Sequence, residues 1–285
     1  MAESLIDVKG RITSTKKTSQ ITKAMYMVSS SKVKRSQQTH QSYQDFLNRI
    51  KRLVVTALNK TSDDFSYPML EKREVKTVAY LLISSDTGLA GPYNTNVFKH
   101  FEQLRKDNSE NYKVWTIGRK AYGYAKSKNL PLANDHPTLV RDDVMYIDIV
   151  PIAKQFVEAY LKGEVDEIVI VYNHFVNSLS IEVKDEVLLP IEIEKTSDDV
   201  GEYLFEGGVN AIISELMPMY IQAIVYGIIL DAKISEHSSR MNSMKNATDN
   251  AEEVINKLQI LYNRARQSAI TTELIDIIAG ANAVE

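Results

Sequence analysis

Residues 3–59 read ESLIDVKGRITSTKKTSQITKAMYMVSSSKVKRSQQTHQSYQDFLNRIKRLVVTALN, and the reading of this stretch decides the fold. Alternate steps of three and four from Leu5 land on Val8, Ile12, Thr15, Ser19, Thr22, Tyr26, Ser29, Val33, Ser36, His40, Tyr43, Leu47, Ile50, Val54 and Ala57 without a stutter. A repeat averaging about 3.5 residues puts all of them on one stripe of a helix. The stripe is apolar at its ends and small or polar at its centre, which suits close approach to another helix better than a thick leucine core. At about 1.5 Å per residue, such a helix is roughly 85 Å long, far beyond a normal globular helix.

The C-terminal end repeats the pattern at Met241, Met244, Thr248, Ala251, Ile255, Leu258, Tyr262, Ala265 and Ala269. All seven prolines fall between Pro68 and Pro218, and only Gly10, Gly227 and Gly280 interrupt the two arms. Two lean seams at opposite chain ends pair most simply as an antiparallel coiled coil, with the middle of the chain as a separate body. The expected organisation is an N-terminal coiled-coil helix over 1–67, an α/β foot over 68–208 and a C-terminal coiled-coil helix over 209–285. Pro218 and Gly227 predict a kink, with Val209 to Ile229 as one segment and the rod proper beginning at Leu230. From Gln267 onward the chain is apolar nearly all round, as Ile270, Leu274, Ile275, Ile277, Ile278 and Val284 show, so this tip should sit inside something the chain itself does not supply.

Composition narrows the chemistry. The 285 residues include no cysteine, which excludes disulfides, thiolate zinc sites and a cysteine nucleophile. The five histidines, His40, His100, His136, His174 and His237, have no metal-ligand spacing, so no metal is expected. The longest uncharged apolar stretch, Met217 to Leu230, is too short to span a bilayer. The N-terminal residues resemble neither a secretory leader nor a presequence, and a cytoplasmic start is expected. Net charge is −3, yet residues 1–60 hold twelve Lys or Arg against Glu3, Asp7 and Asp45, a net of +9 that leaves −12 for the rest. Such asymmetry suits nucleic acid, an anionic membrane or an acidic protein partner.

The middle changes to short β-branched runs separated by glycine and proline. Strands are predicted over Val75–Ile83, Lys113–Ile117, Glu167–Tyr172 and Ser180–Pro190, and helices over Asn94–Lys106, Arg119–Lys128 and Pro151–Leu161, the last opened by its proline. This rhythm predicts a small three-layer, Rossmann-like α/β domain with a largely parallel sheet. The loop Ser84-Ser85-Asp86-Thr87-Gly88-Leu89-Ala90-Gly91-Pro92-Tyr93-Asn94 follows a strand as a phosphate loop would, but it lacks the dinucleotide glycine spacing, and no P-loop motif exists. A tight strand-to-helix turn is the plainer reading, and a nucleotide-dependent enzyme with a coiled-coil arm is the alternative. A nucleic-acid-binding coiled coil lacks aromatic interleaving and base-reading modules.

The arms carry a resemblance. Ile21-Thr22-Lys23-Ala24-Met25-Tyr26-Met27-Val28, Lys32-Val33-Lys34-Arg35, Ser239-Arg240-Met241, Met244 to Ala251, and Tyr262 to Leu274 with Ile277 to Ala281 together resemble the gamma subunit of F-type ATP synthases. Ser85 to Gly91 and Gly118-Arg119-Lys120 fall where that family has its corresponding loops, so the resemblance runs the length of the chain. It implies a non-catalytic central rotor shaft with no cofactor. Its paired helices enter the ring of alpha and beta subunits, and its foot sits beside epsilon and the c subunits of the membrane rotor ring. Ion flow through that ring is coupled to ATP synthesis or hydrolysis in the hexamer. The family places a catch on the beta subunits at positions matching Arg240 and Gln267, supported by Thr271 and Glu273. Met25 matches a shaft-packing methionine; Lys23, Lys32, Lys34 and Arg35 belong to the basic face turned toward acidic beta loops. Tyr203, Leu204, Phe205 and Glu206 match the contact with epsilon and the rotor ring. Gly91-Pro92-Tyr93 departs from the family's loop, and without cysteine the redox control of chloroplast members is impossible. The implied setting is peripheral, on the cytoplasmic face of a bacterial plasma membrane, with membrane association only through the complex and no nucleic-acid partner.

Overall fold

The computed structural model describes residues 5–61, 66–107, 111–193 and 208–282. The two seams become two long helices, α1 (Leu5–Asn59, 55 residues) and α5 (Val209–Asn282, 74 residues). Every seam position of α1 is buried or half-buried, and the seam of α5 is covered from Met241 as far as Ala265. The 3.5-residue repeat therefore identified the packed faces directly, because burial on a helix follows angular position alone.

Between them lie β1 (Thr77–Ile83), α2 (Tyr93–Asp107), β2 (Asn111–Ile117), α3 (Arg119–Ser127), α4 (Tyr146–Leu161), β3 (Glu167–Phe175) and β4 (Ile181–Leu189). The sheet order is β2-β1-β3-β4; β1 pairs parallel with β2 and β3, and β4 is an antiparallel edge joined to β3 by a hairpin. Two-residue alternation sends Val78, Tyr80, Leu82, Val114, Val169 and Val171 to one face, where Val97 and Phe101 of α2 and Ala121 of α3 cover them. Ala79, Leu81, Ile83, Trp115, Ile117, Ile168 and Ile170 face the other way. There they meet Ile149, Ala153, Phe156 and Tyr160 of α4, Ile50 and Val54 of α1, and Ile213, Met217, Ile221 and Ile228 of α5.

That second cover revises the expectation of a body separate from the arms. The chain divides into two compact units, residues 31–239 and the two stretches 1–30 and 240–285. The first unit contains the sheet together with the adjoining lengths of both long helices, because the sheet's second apolar face has only α4 to cover it otherwise.

Two prolines sit inside helices. Pro151 does not open α4 but sits inside it, the helix starting five residues earlier at Tyr146. The Asp148 carboxylate accepts the Met145 N–H at 2.9 Å and marks that start. The carbonyl that Pro151 leaves without a helical donor belongs to Ile147, whose exposure lets water replace it. Pro218 lies inside a helix as expected, but α5 runs on without the expected division between Ile229 and Leu230. The N–H that Pro218 lacks would have bonded the Ser214 carbonyl, and Tyr67 Oη donates to that oxygen over a long 3.5 Å. A window of α5 is long and apolar enough to cross a membrane, although no uncharged run in it is; 56% of it is buried inside the protein, as befits a core helix.

Candidate functional site

The loop after β1 was the only sequence candidate for a phosphate cradle, and residues 84–86 spend their oxygens on the start of α3. Ser84 Oγ accepts the Ala121 N–H at 2.7 Å, Asp86 Oδ1 accepts that of Arg119 at 3.0 Å, and the Ser85 carbonyl accepts that of Lys120 at 3.1 Å. These are the first donors of α3, the groups that would otherwise hold an anion. Asn94 Oδ1 accepts the Ser85 N–H at 3.0 Å and its amide returns a bond to Ser85 Oγ. Gly118 (φ +93°) presses its Cα against the Ser84 carbonyl so closely that no Cβ fits. Pro92 precedes the first residue of α2, where a missing N–H is harmless. The glycines and the proline thus shape a self-capped strand-to-helix turn.

The polar chemistry instead gathers where α5 passes the sheet. Every residue from Val225 to Ser239 is buried, including Asp231, Lys233, Ser235, Glu236, His237, Ser238 and Ser239. Asp231 Oδ2 pairs with His174 Nδ1 at 2.6 Å, and its Oδ1 accepts the Phe175 N–H at 3.0 Å, binding α5 to β3. Tyr93 Oη donates to the Ala232 carbonyl at 3.0 Å, Ser238 Oγ to that of Ser178 at 2.9 Å, and Ser239 Oγ to that of Ala90. Asp142, in the connection before α4, lies 2.6 Å from Lys32 Nζ, 3.3 Å from His237 Nε2 and 3.7 Å from Lys233 Nζ. The neighbouring His237 and Lys32 hold its carboxyl well below the usual carboxylate range, against the opposing effect of burial. Burial lowers His40, with Asp231 opposing and His174 adding to the effect. Its Nε2 lies 2.9 Å from the Gln44 amide nitrogen, a donor that a neutral ring can accept from.

An aromatic cluster fastens the same region. Tyr43 and Tyr226 meet edge to face with centroids 4.7 Å apart, and Tyr146 joins Tyr226 at 5.9 Å. Tyr43 Oη donates to the Ala223 carbonyl and Tyr226 Oη to that of Val144. Burial pushes both phenols up. None of these groups forms a nucleophile, base and orienter in a cleft; the polar residues join elements of the fold to each other.

The remaining sequence candidates occupy the second unit. Arg240 is buried, whereas Gln267, Thr271 and Glu273 are exposed on the same helix. The 27 positions between Arg240 and Gln267 put them about 40 Å apart along α5, too far for one local site. Thr271 Oγ1 donates to the Gln267 carbonyl at 2.9 Å, so those two share a turn. Met25 is half-buried and Lys23 exposed. In the other unit Lys32, Lys34 and Arg35 are exposed, and only Lys32 among these three has an ion-pair partner among the described residues. Tyr203, Leu204, Phe205 and Glu206 lie outside the described residues. Within the helix pair, Val8 and Ile12 pack on Leu258 and Tyr262, and Thr22 Oγ1 meets Thr248 Oγ1 at 2.7 Å. Beyond this packing Ile270, Leu274, Ile275, Ile277 and Ile278 stand 49–62% exposed, an apolar surface left uncovered by the described residues. Sequence reasoning missed the Asp231, Asp142 and Tyr226 contacts, since their partners on other elements lie at least 56 positions away.

Comparison with known proteins matches this architecture. Residues 4–284 fit the family described as ATP synthase. The "ATP synthase gamma chain" of Macrococcus caseolyticus is 42% identical, covering 99% of each chain. That of Exiguobacterium sibiricum is 42% identical over 98% of this chain and 99% of its own. Among solved structures, a chain of the Tetrahymena thermophila mitochondrial ATP synthase, central stalk and c-ring, superposes with TM-score 0.60 at 24% identity, covering 80% of this chain and 99% of that one. A chain of the Euglena gracilis mitochondrial enzyme gives TM-score 0.56 at 18% identity over 92% and 95%. At those identities the structural likeness concerns the fold.

Proposed function

Because this chain belongs to the family of ATP synthase gamma chains, we propose that it is the central rotor shaft of a bacterial F-type enzyme, a non-catalytic subunit that transmits torque between a membrane rotor ring and an alpha/beta hexamer. The observation that carries this reading is the family match along essentially the whole chain, with 42% identity to a gamma chain over 99% of both lengths. The exposed apolar end of α5 supports it, since a helix with isoleucines on all sides needs a sleeve. The first donors of α3, already bonded to Ser84 and Asp86 of the β1 loop, speak against the nucleotide-dependent alternative.

In this reading the C-terminal turns from Gln267 run in the hexamer's bore, and the beta subunits are engaged at two levels, Arg240 and the group Gln267, Thr271 and Glu273. Lys23, Lys34 and Arg35 are exposed and free of ion pairs among the described residues, so they can meet acidic loops of a passing beta subunit. Tyr203 to Glu206 contact epsilon and the ring of c subunits. The subunit works on the cytoplasmic face of the plasma membrane and reaches the membrane only through the complex.

The test is reassembly. ATPase activity should return only when this chain is combined with alpha and beta subunits. Replacing Arg240 and Gln267 together should lower that turnover while the helical content of the chain stays intact. Unchanged turnover in the double variant removes both residues from the contact, and failure of the wild-type chain to restore activity removes the shaft reading itself.

A further inference from the structure

The stretch between α3 and α4, residues 128–145, forms no regular element of its own but runs along the open edge of β2. Val114 donates its N–H to the Pro131 carbonyl and accepts that of Ala133, both at 2.9 Å, and Gly118 donates to the Thr138 carbonyl at 2.7 Å. Asn134 bonds the backbone and side chain of Thr116, and Tyr122 Oη donates to the Asp135 carbonyl at 2.6 Å. The near end is therefore stitched by ordinary backbone pairing. The far end is held differently. There Asp142 meets Lys32 of α1 and Lys233 and His237 of α5, while Tyr226 Oη caps the Val144 carbonyl at 3.1 Å.

We propose that residues 130–145 are a salt-releasable strap that closes on both long helices through the Asp142 carboxylate. Three basic side chains from two helices converge on this one acid, and no apolar side chain could replace it, because Lys233 and His237 are buried with side chains only 9% and 1% exposed. Opening the strap leaves Lys233 with Glu236 at 3.2 Å as its remaining acidic contact. Asp143 does not compete for the helix cations, since Arg141 holds it in a two-pronged contact at 3.0 Å. Beside the cluster lies a cleft of about 480 Å³ lined by Arg35, Ser36, Thr39, Val144, Met145 and Leu230, among others. Lys32, Asp142, Lys233 and His237 line the same cleft, and Lys32 and Asp142 are themselves 45% and 43% exposed, so dissolved salt can compete with the latch.

The strap leads directly into α4, whose Ile149, Ala153 and Phe156 pack under the sheet. Latching Asp142 thus sets where the sheet's own cover helix sits against the shaft helices. In the rotor reading, on which this last point rests, the latch adds a directional attachment to a core whose hydrophobic contacts are non-directional.

Hydrogen exchange on the full-length chain tests the strap independently of the rotor reading. In the wild type, exchange at 139–145 should rise with sodium chloride from 0.05 to 1 M, while β1 and β3 stay protected. Asp142→Asn should raise exchange at 139–145 about tenfold at low salt and abolish the salt response. Lys32→Met, on an exposed side chain that carries little risk to folding, should give a several-fold increase in the same segment. The proposal is overturned if exchange at 139–145 in the wild type ignores salt and in Lys32→Met matches the wild type, or if any increase is shared equally by β1 and β3. Loss of the rotor reading would show separately, as failure of the unmodified chain to restore ATPase activity to alpha and beta subunits.

Discussion

Thr22 and Thr248 offer a test of how the helix pair is held. Their hydroxyl oxygens are 2.7 Å apart; Thr22 Oγ1 also lies 3.1 Å from the Ser19 carbonyl, and Thr248 Oγ1 lies 2.8 Å from that of Met244. Three contacts share two protons. Either Thr22 donates across the seam while Thr248 donates to Met244, or Thr248 donates across while Thr22 donates to Ser19, and each arrangement makes two bonds. Changing either residue to valine leaves the partner its own backbone acceptor but deletes the bond across the seam. With both side chains buried, each single change should cost about 0.5–1.5 kcal/mol. The double change removes the second hydroxyl as well and replaces it with a methyl of the same shape, so it should return close to wild-type stability. Valine and threonine have similar helix propensities, which cancels that contribution. The expected coupling is therefore about 1 kcal/mol or more, read from urea midpoints followed by helical circular dichroism at unchanged m-value. If the single effects add within about 0.3–0.5 kcal/mol, the cross-seam bond has no energetic content and the proton accounting is wrong.

Other outcomes follow from the same geometry. Gly118→Ala should destabilise by about 2–5 kcal/mol, combining strain at φ +93° with overlap on the Ser84 carbonyl, as measured by urea unfolding; a loss under about 1 kcal/mol would mean that the turn yields easily. Gly227→Ala should be neutral or stabilise by about 0.5–1 kcal/mol, because the new methyl meets Tyr43 Cε1 at 3.5 Å in ordinary contact and the helix gains propensity; marked destabilisation would show the Tyr43 packing to be tighter than the structure has it. The folded-state pKa of His40 is depressed, so the unfolded chain binds the extra proton. Its contribution is fully present above about pH 6.5 and is lost as pH falls below, and stability measured from pH 7.5 to 5 should decline less steeply in His40→Gln. Asp142 is also depressed and gives its contribution above about pH 4, losing it toward stronger acid, so Asp142→Asn should flatten the acid limb below that value.

Much of the architecture was legible along the chain because the relevant forces are local. The step of three and four picked out the buried stripe of α1 from Val8 to Ala57, and short β-branched runs picked out four strands to within a few residues. Proline and glycine were weaker guides. Pro151 and Pro218 both sit inside helices, since exposure at Ile147 and the Tyr67 hydroxyl at Ser214 relieve the carbonyls that proline leaves behind. The candidate site was legible only as a resemblance. Arg240 and Gln267 carry no local signal that separates them from any other helix residue, and that Arg240 is buried while Gln267 is exposed emerged only with the fold.

By itself, then, the sequence determined periodicity: two long helices with lean seams, an α/β rhythm between them, a basic arm and an apolar tip. Tertiary structure decided which faces that periodicity would meet. It turned the sheet's second face onto α1, α4 and α5, and it brought Asp231 to His174 and Asp142 to Lys32 and His237. The physical reason is distance along the chain. A helix stripe or strand face follows from neighbours three, four or two residues away, whereas a buried aspartate on a core helix is stable only if a cation or donor 50 or more positions distant arrives beside it.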